Sequence, residues 1–420
     1  MNLTKVLNEP NLLKEALNNV YIDSSKQYDR YLDSLYQFKE IFDQNEVLIC
    51  STPGRVELCG NHTDHQLGKI LAASIDIDSL AIASKADQIR IYSSGFGMIE
   101  LNTEDDHYLE SERYTTIALV KGIIKRFKEL NLVIGGFSAY ITSNVLPGSG
   151  MSSSANFEVL LATIINHLYN DGSIDAVTIA KIAQFSEVNY FGKPCGLMDQ
   201  LACVYGGIIY VDFSDENLPK IVKIDDIFHK HGFILSLVDT RSAHDDLSDE
   251  YAKIVDEMKD IAHFFAKSTL SELDEKSFYD NFSKLGIINN DRAILRAHHF
   301  FSEVKRVDKI FEAIKNDNID LILQLIKLSG YSSFMYLQNI YLNSKPHEQK
   351  LSITLAMIEK YLYDHAGAFR IHGGGFGGTV LVITHKDNND SYRKLVKDLI
   401  DTDACKTTNI RNNGSICILK

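Results

Sequence analysis

One ten-residue stretch, LPGSGMSSSA at residues 146–155, constrains the fold more than any other part of the sequence. Residues 137–143 before it alternate in strand fashion, and residues 157–168 after it are apolar at helical spacing. A loop of small residues therefore leads from a strand into the N-terminus of a helix. The free backbone N–H groups and partial positive charge of such a terminus bind anions, and glycines let the backbone approach the anion closely.

The three consecutive serines Ser152, Ser153 and Ser154 add hydroxyls that can hydrogen-bond phosphate or ligate Mg²⁺. We interpret the stretch as a binding loop for a nucleotide triphosphate. The alternative is a serine N-cap after a turn, which needs fewer serines and glycines than are present. Because no GxxxxGK[ST] occurs, the loop lacks the P-loop lysine, and we expect Arg55 and Mg²⁺ to supply the positive charge.

Length, charge and cysteine usage limit the class of protein. A chain of 420 residues with 45% hydrophobic residues favours two domains and a large core. The net charge of −13 argues against broad binding to nucleic acid or to an anionic membrane. The six cysteines form no CxxC, and neither a secretory signal nor a long apolar run is present. We therefore expect a cytoplasmic protein with reduced thiols.

The periodicity of the remaining chain predicts mixed α and β structure. The predicted helices cover residues 11–21, 26–42, 115–129, 157–168, 173–190, 245–267, 291–316, 321–328, 350–365 and 391–400. The predicted strands cover residues 47–51, 69–85, 89–93, 98–101, 137–143, 206–212, 233–239, 368–372, 379–383 and 415–419. The strand at 233–239 is taken to open the second domain.

A glycine run, GGGFGG at residues 373–378, fits the pattern GxGxxG. A dinucleotide-binding fold needs a helix after this pattern, whereas residues 379–383 predict a strand. The run also fits the glycine loop of protein kinases, but only about 40 residues follow it, too few for the other kinase motifs. We interpret it as a glycine-rich hairpin that packs against the serine loop or its phosphates, with a plain tight turn as the alternative.

Two polar segments carry candidate chemistry. His62, Asp64 and His65 offer directional donors and acceptors that suit the hydroxyls of a sugar, and a metal site there lacks an evident third ligand. Asp199 follows a Pro-Gly break, where it could take a proton from a substrate hydroxyl, or orient it, during attack on a γ-phosphate. An N-cap on the following helix is an equally open interpretation of Asp199.

Taken together, five segments resemble the galactokinases of the GHMP small-molecule kinase superfamily. Residues 54–65, GRVELCGNHTDH, are similar to the family signature GRVNLIGEHTDY. Residues 147–155 resemble the ATP-phosphate motif of the family, and residues 196–200 resemble the segment of its catalytic aspartate. Residues 239–251 resemble the stretch in which a tyrosine contacts the sugar, and residues 373–378 resemble the third motif. Five segments in the family's order are far more specific than any one of them.

The resemblance implies an α+β, two-domain GHMP kinase fold. Residues 1–222 would form an N-terminal domain of the ribosomal-S5-domain-2 type, and residues 223–420 a C-terminal ferredoxin-like domain, with the site in the cleft between them. It also implies transfer of the ATP γ-phosphate to the anomeric hydroxyl of galactose, with ATP and Mg²⁺ as cofactors. We expect a monomer without nucleic-acid or membrane partners.

The resemblance further assigns roles by motif position. Asp199 would be the catalytic aspartate, and Arg55 would support it and stabilise the attacking oxygen or the transferring phosphoryl group. The sugar would be bound by Asn61, His62, Asp64, Gly196 and Tyr251. ATP would be bound by Pro147, Gly148, Ser149, Gly150, Met151, Ser152, Ser153 and Ser154, with Ser154 as the metal ligand.

The departures from the signature that bear on the substrate are at polar positions: Asn61 replaces Glu, Glu57 replaces Asn, and His65 replaces Tyr. An amide lacks the charge of a carboxylate, and a charge-assisted hydrogen bond is worth about 1.5–3 kcal/mol, or about a ten- to hundredfold change in selectivity. Because Asp64 is retained, galactose remains the first choice of substrate. A kinase for N-acetylgalactosamine, a uronic acid or arabinose is the alternative.

A protein of another class also fits parts of the pattern. A catalytically silent sensor would bind ATP and a sugar to regulate a partner. Such a protein is expected to lose a catalytic or serine-loop residue, whereas Arg55, Asp199 and the three serines are all present. The sequence therefore favours the enzyme over the sensor.

Overall fold

The structure is a computed structural model that describes residues 1–145, 152–215, 217–242 and 247–420. Its α-helices are α1 (Leu3–Asn8), α2 (Pro10–Asn18), α3 (Ser25–Phe42), α4 (Thr116–Glu129), α5 (Ser153–Tyr169), α6 (Ala176–Ser186), α7 (Met198–Tyr205), α8 (Ile227–Lys230), α9 (Ser248–Phe264), α10 (Glu275–Asp280), α11 (Asp291–Lys315), α12 (Ile319–Ser332), α13 (Lys350–Tyr361) and α14 (Asn389–Leu399). Its strands are β1 (Leu48–Cys59), β2 (Lys69–Lys85), β3 (Ile89–Ser93), β4 (Gly97–Leu101), β5 (Phe137–Ser143), β6 (Ile208–Asp212), β7 (Lys220–Ile224), β8 (Phe233–Asp239), β9 (Gly367–His372), β10 (Thr379–His385), β11 (Cys405–Thr408) and β12 (Ile416–Leu419).

Across the described residues the strands form two sheets. The first has the order β12-β1-β2-β5-β3-β4, with β6 paired to β2 and β7 paired to β6. Within it β3 and β5 run parallel, and the other pairs are antiparallel. The second sheet, β11-β8-β10-β9, is antiparallel throughout. The predicted α+β fold is confirmed.

The first sheet is covered by helices on both faces. Successive side chains of a strand point to opposite faces, so β1 can serve two cores at once. Leu48 and Cys50 pack with residues of α4, α5 and α6, whereas Ile49 between them packs with residues of α1, α2 and α3. Burial on both faces explains why the β1 segment is almost continuously apolar before its polar motif begins.

Strand β1 also carries polar side chains to the junction of the two sheets. Val56 and Leu58 belong to a core that includes residues of β8 and β10. Arg55 and Glu57, which alternate with them, contact His372 and Arg370 of β9. A single strand of the first sheet is thereby joined to the second sheet by polar contacts.

The observed elements extend the sequence-based prediction in identifiable places. Strand β1 was predicted to end at residue 51 but continues to Cys59, because β2 pairs with it along this length despite Pro53 and Gly54. The predicted helix at residues 173–190 ends as an α-helix at Ser186 and continues as a π-helical turn, Glu187–Phe191. Strands β7 and β11 were not predicted. The glycine-rich hairpin is confirmed, since β9 and β10 pair antiparallel around residues 373–378.

The domain boundary between residues 222 and 223 stays a prediction. In the structure it falls inside β7, which pairs with β6 of the first sheet. The last strand, β12, returns to pair with β1, so the end of the chain is part of the first sheet. Within the described ranges, no helix is long and apolar enough to cross a membrane.

Candidate active site

The N-terminus of α5 is the first component of the site. Helix α5 begins at Ser153, and Ser152 before it has a left-handed backbone with φ of 59°. The predicted ATP residues Pro147, Gly148, Ser149, Gly150 and Met151 lie outside the described residues. Among the described contacts, the Ser152 hydroxyl donates to the Asp199 carboxylate and accepts no hydrogen bond from a backbone N–H of α5. Ser152 is therefore not acting as a simple side-chain N-cap.

Arg55 and Asp199 form a buried ion pair beside this terminus. Arg55 Nε lies 2.8 Å from Asp199 Oδ1, and the guanidinium side chain is only 4% exposed. Burial alone would raise the pKa of Asp199, but the adjacent Arg55 and the hydrogen bonds from Arg55 and Ser152 hold that pKa below its usual value. Asp199 is therefore ionised at neutral pH. It lies in the first turn of α7 with Leu197 as N-cap, so the N-cap interpretation of Asp199 is wrong.

Arg55 is held from a second side by His372, the last residue of β9. The Nη1 of Arg55 lies 3.1 Å from Nε2 of His372. Burial, followed by the charges of Arg55 and Arg370, keeps the pKa of His372 well below its usual value, so the ring is neutral and its Nε2 accepts from the guanidinium. The sequence prediction did not include His372, because its contact with Arg55 joins residues far apart in the chain.

Asp64 and Gly196, two of the predicted sugar ligands, lie against each other. A Cβ atom placed on residue 196 would lie 1.8 Å from Asp64 Oδ2, so only glycine permits this approach. The other carboxylate oxygen, Oδ1, accepts from the backbone N–H of His65 at 2.9 Å. Burial first, and then the nearby Asp199, raise the pKa of Asp64 to about 7. The carboxyl is thus close to half-ionised in the free protein at neutral pH.

The glycine-rich hairpin packs against the sugar signature. Its backbone carbonyls at residues 373–375 accept hydrogen bonds of 3.0 Å each from Asn61 Nδ2, His62 Nε2 and the Tyr251 hydroxyl. The rings of His62 and Tyr251 are stacked with centroids 6.5 Å apart. Burial lowers the pKa of His62 to about 4, so its ring is neutral and Nε2 carries the donated proton. The described hairpin contacts thus include these three predicted sugar residues. The expected packing against the serine loop or its phosphates stays a prediction, because residues 146–151 lie outside the described residues.

Asn61 is surrounded by protein partners. Its Nδ2 also donates to Glu57 Oε2 at 3.0 Å, and its Oδ1 accepts from Asn339 Nδ2 at 2.8 Å. The residue is 1% exposed. Glu57 in turn accepts from Arg370 Nη2 at 2.9 Å. The two signature positions at which carboxylate and amide are exchanged therefore touch each other, and the carboxylate serves a buried ion pair.

Ser154 leads to a second carboxylate that sequence reasoning missed. Its hydroxyl donates to Glu187 Oε1 at 2.7 Å, and Lys193 Nζ lies 2.9 Å from the same oxygen. The other oxygen, Oε2, accepts from Gln200 Nε2 at 2.8 Å. Glu187 lies four residues after the buried Ala183 of α6, so a glutamate on the apolar face of a predicted helix was the available signal.

The donor set at this carboxylate bears on metal binding. Among the described residues, no group of three or more His, Cys, Asp or Glu is arranged to hold a metal ion. A hydroxyl and one carboxylate, Ser154 and Glu187, nevertheless match the few protein ligands that Mg²⁺ uses when substrate phosphates supply the rest. The residues present therefore fit a phosphate-bound Mg²⁺.

Two sequence families match this chain. The model described as "GHMP kinases N terminal domain" matches residues 118–207. The model described as "Galactokinase galactose-binding signature" matches residues 36–85. The chain is therefore similar to the GHMP kinases over these two ranges. The first match contains the start of α5 with Glu187 and Asp199, and the second contains Arg55 and Asp64.

Similarity to known galactokinases extends along most of this chain. It is 28% identical to the galactokinase of Streptococcus suis over 375 residues, which is 86% of this chain and 90% of the relative. It is 28% identical to the galactokinase of Lactobacillus helveticus over 366 residues, 84% of this chain and 90% of the relative. Among solved structures, Lactococcus lactis galactokinase complexed with galactose matches with a TM-score of 0.80 and 23% identity, covering 92% of this chain and 100% of that one. This structural match shows the shared fold.

Proposed function

We propose that this chain is a GHMP kinase that acts as a galactose 1-kinase, which transfers the γ-phosphate of ATP to the anomeric hydroxyl of galactose and yields galactose 1-phosphate and ADP. The observation that carries the proposal is the Arg55–Asp199 ion pair, at 2.8 Å, beside the N-terminus of α5. Asp64, within the match to the galactose-binding signature, is close enough to Asp199 for the two charges to act on each other. A sugar held by Asp64 would present a hydroxyl to Asp199.

In this proposal Asp199 positions and polarises the attacking hydroxyl. Its pKa lies below the usual value, which makes it a weak base and a stable negative charge. Phosphoryl transfer passes through a loose transition state, in which orientation and electrostatics supply most of the catalysis. Asp199 would accept the hydroxyl proton late, as the new O–P bond forms. Arg55, fixed by His372, would stabilise the charge on the attacking oxygen or the phosphoryl group.

ATP would bind with its phosphates at the N-terminus of α5. Residues 147–154 would supply backbone N–H groups and serine hydroxyls, and the helix terminus would add partial positive charge. We propose that Ser154 and Glu187 hold Mg²⁺ against these phosphates. Bound there, the ion would neutralise charge on the phosphate oxygens during transfer.

The sugar would lie between Asp64 and the hairpin side of the site. Gly196 leaves the Asp64 carboxylate its space, while His62 and Tyr251 provide the neighbouring ring surfaces. The polar atoms of Asn61 are engaged with protein partners, so its proposed influence on the sugar is through packing around His62 rather than through a free amide. We also propose that the enzyme acts as a cytoplasmic monomer, which agrees with its six free thiols.

The position of the phosphate in the product tests this proposal. Purified protein is incubated with Mg-ATP and galactose labelled with ¹³C at carbon 1, and the product is followed by ³¹P and ¹³C NMR. Phosphorus coupling to the labelled anomeric carbon is expected. A phosphorylated galactose without this coupling would contradict transfer to the anomeric hydroxyl, and ATP hydrolysis without any sugar phosphate would contradict the kinase itself.

A further inference from the structure

The N-terminus of α5 is flanked by two carboxylates, and each is paired with a cation. Ser152 donates to Asp199, which pairs with Arg55, and Ser154 donates to Glu187, which pairs with Lys193. The hydroxyl of Ser154 and the ammonium of Lys193 converge on a single oxygen, Glu187 Oε1, at 2.7 and 2.9 Å. Lys193 therefore places a full positive charge next to the helix terminus assigned to the ATP phosphates.

The two side chains of the Lys193–Glu187 pair differ in exposure to solvent. The Glu187 side chain is 1% exposed, whereas that of Lys193 is 42% exposed. The lysine backbone is fixed, because the Glu187 carbonyl accepts from the N–H groups of Gly192 at 3.0 Å and Lys193 at 3.1 Å. Its four-carbon stem can consequently swing the ammonium from an anchored base, while the carboxylate stays in place.

The charge of Lys193 acts on two other groups of the proposed site. After burial and the contacts with Arg55 and Ser152, Lys193 is a further cause that lowers the pKa of Asp199. It also acts against the effect of burial on the Tyr251 hydroxyl. The ammonium is therefore close enough to Asp199 and Tyr251 for its charge to act on both.

Binding of Mg²⁺ at Glu187 would change the partner of Lys193. A cation that takes over the carboxylate repels the ammonium, and the nearest new anion in the proposed complex is the phosphate chain of ATP. We propose that Lys193 is a phosphate-binding residue, which pairs with Glu187 in the free enzyme and with the γ-phosphate of ATP in the complex. This inference rests on the proposed function, and it supplies the cation that the missing P-loop lysine would otherwise provide.

Nucleotide binding without turnover tests the inference. Dissociation constants for ATP and ADP are measured by calorimetry in EDTA and again with Mg²⁺, in the absence of sugar. With Mg²⁺ present, Lys193→Met is expected to weaken binding of ATP by about ten- to hundredfold and to leave ADP nearly unchanged, because a charge-assisted hydrogen bond to the γ-phosphate is lost. In EDTA the loss should be smaller, because Glu187 then competes with the phosphate for the ammonium. Lys193→Arg should retain most of the affinity.

A variant of Glu187, the partner of Lys193 in the free protein, tests the same proposal. Glu187→Gln removes the competing carboxylate charge and leaves the lysine in place, so metal-free ATP should bind several-fold more tightly than to the wild type. Adding Lys193→Met to Glu187→Gln should abolish that gain. Lys315→Met is the matched control, since Lys315 pairs with the exposed Glu312 on α11.

The outcomes are separable. Unchanged ATP affinity in Lys193→Met, or no gain in Glu187→Gln, would overturn the inference. An equal loss for ATP and ADP would also overturn it, because the ammonium would then contact the α- or β-phosphate. If the wild type binds no ATP under either condition, the proposed function itself fails. If the wild type binds ATP and the variants match it, only the role of Lys193 is wrong.

Discussion

Two ion pairs lie at the N-terminus of α5, and they differ in which partner is buried. In Arg55–Asp199 the cation is the buried member, at 4% exposure against 20% for the carboxylate. In Lys193–Glu187 the carboxylate is the buried member, at 1% against 42%. In the first pair the cation is buried and the carboxylate is the more accessible partner. In the second pair the carboxylate is buried and the cation is the more accessible partner. In our proposal the accessible carboxylate of the first pair contacts a substrate hydroxyl, and the accessible cation of the second contacts a phosphate.

The largest effect should come from breaking the first pair at its acid. Asp199→Asn keeps the size of the side chain but removes the charge that orients the attacking hydroxyl. Turnover is expected to fall by about a thousandfold, while sugar affinity changes little. Steady-state ADP release and calorimetry with sugar measure the two quantities. Asp308→Asn, which weakens a partly exposed pair with Lys69, is the control. Near-normal turnover by Asp199→Asn would rule out its catalytic assignment.

Removing the fixed cation should have the next largest effect and should move the pH profile. Arg55→Met leaves burial as the dominant influence on Asp199, so the pKa of that carboxyl rises. Turnover is expected to fall by about a hundredfold, and the loss of activity with falling pH should begin at higher pH than in the wild type. Arg55→Lys keeps the charge and should shift the profile less. Superimposable pH profiles for the three proteins would contradict the pairing.

A third, smaller effect on activity is expected at Asp64, which belongs to neither of the two ion pairs at α5. Because its pKa is raised to about 7, the carboxylate that accepts from sugar hydroxyls is populated only as the pH rises through that value. The KM for galactose should fall by about tenfold between pH 6 and pH 8, and Asp64→Asn should remove the dependence. The same shift means that the folded protein holds a proton that the unfolded chain releases, so Asp64 makes the free protein less stable as pH rises from about 4 to 7.

Proton release provides an independent check of Asp64. Galactose binding near pH 7 should expel a fraction of a proton, seen as a heat of binding that varies with the ionisation enthalpy of the buffer. A KM that stays constant from pH 6 to pH 8, together with buffer-independent heat, would contradict the role given to this carboxylate.

The smallest effects on activity are expected at the buried contact between Glu57 and Asn61. Unlike the two ion pairs at α5, this contact has its polar groups directed at protein and not at substrate. Asn61→Glu brings two carboxylates to about 3.0 Å and should lower the free energy of unfolding by about 2 kcal/mol. Glu57→Asn should cost about 3 kcal/mol by leaving Arg370 without its carboxylate. Together they restore an amide–carboxylate contact, so the double variant should lose less than the sum by about 1 kcal/mol.

Sugar preference gives the second measure of this contact. In the Glu57→Asn/Asn61→Glu variant the carboxylate returns to the signature position, and preference should shift several-fold toward galactose. If the rank order of sugars is unchanged, Asn61 is not a specificity determinant. If the unfolding energies are additive, the two exchanged residues do not act as a pair.

The sequence led to Arg55, Asp64, Gly196 and Asp199 because each lies inside a short segment with a recognisable pattern. Most of the fold was also accessible, since long strands such as β2 can be recognised from their nearly continuous apolar sequence. The structure brings Arg55 to Asp199 and Asp64 to Gly196.

Other parts of the site depend on distant packing and carry little local signal. His372 meets Arg55 only because β9 of the second sheet lies against β1 of the first. Lys193 was inside a segment already singled out, but its pairing with Glu187 requires the π-helical turn that follows α6. The internal hydrogen bonding of Asn61 likewise involves Asn339, far along the chain, and so its side chain was expected to face the sugar.

The most direct test of the account is a coupled ADP-release assay with Mg-ATP and five sugars: galactose, glucose, N-acetylgalactosamine, galacturonate and arabinose. We predict that galactose gives the highest kcat/KM of the five and that Asp199→Asn abolishes this signal. Turnover with another sugar but not with galactose would contradict the substrate while leaving phosphoryl transfer in place. No turnover with any sugar by a protein that binds ATP would contradict the account of a kinase and favour a sensor.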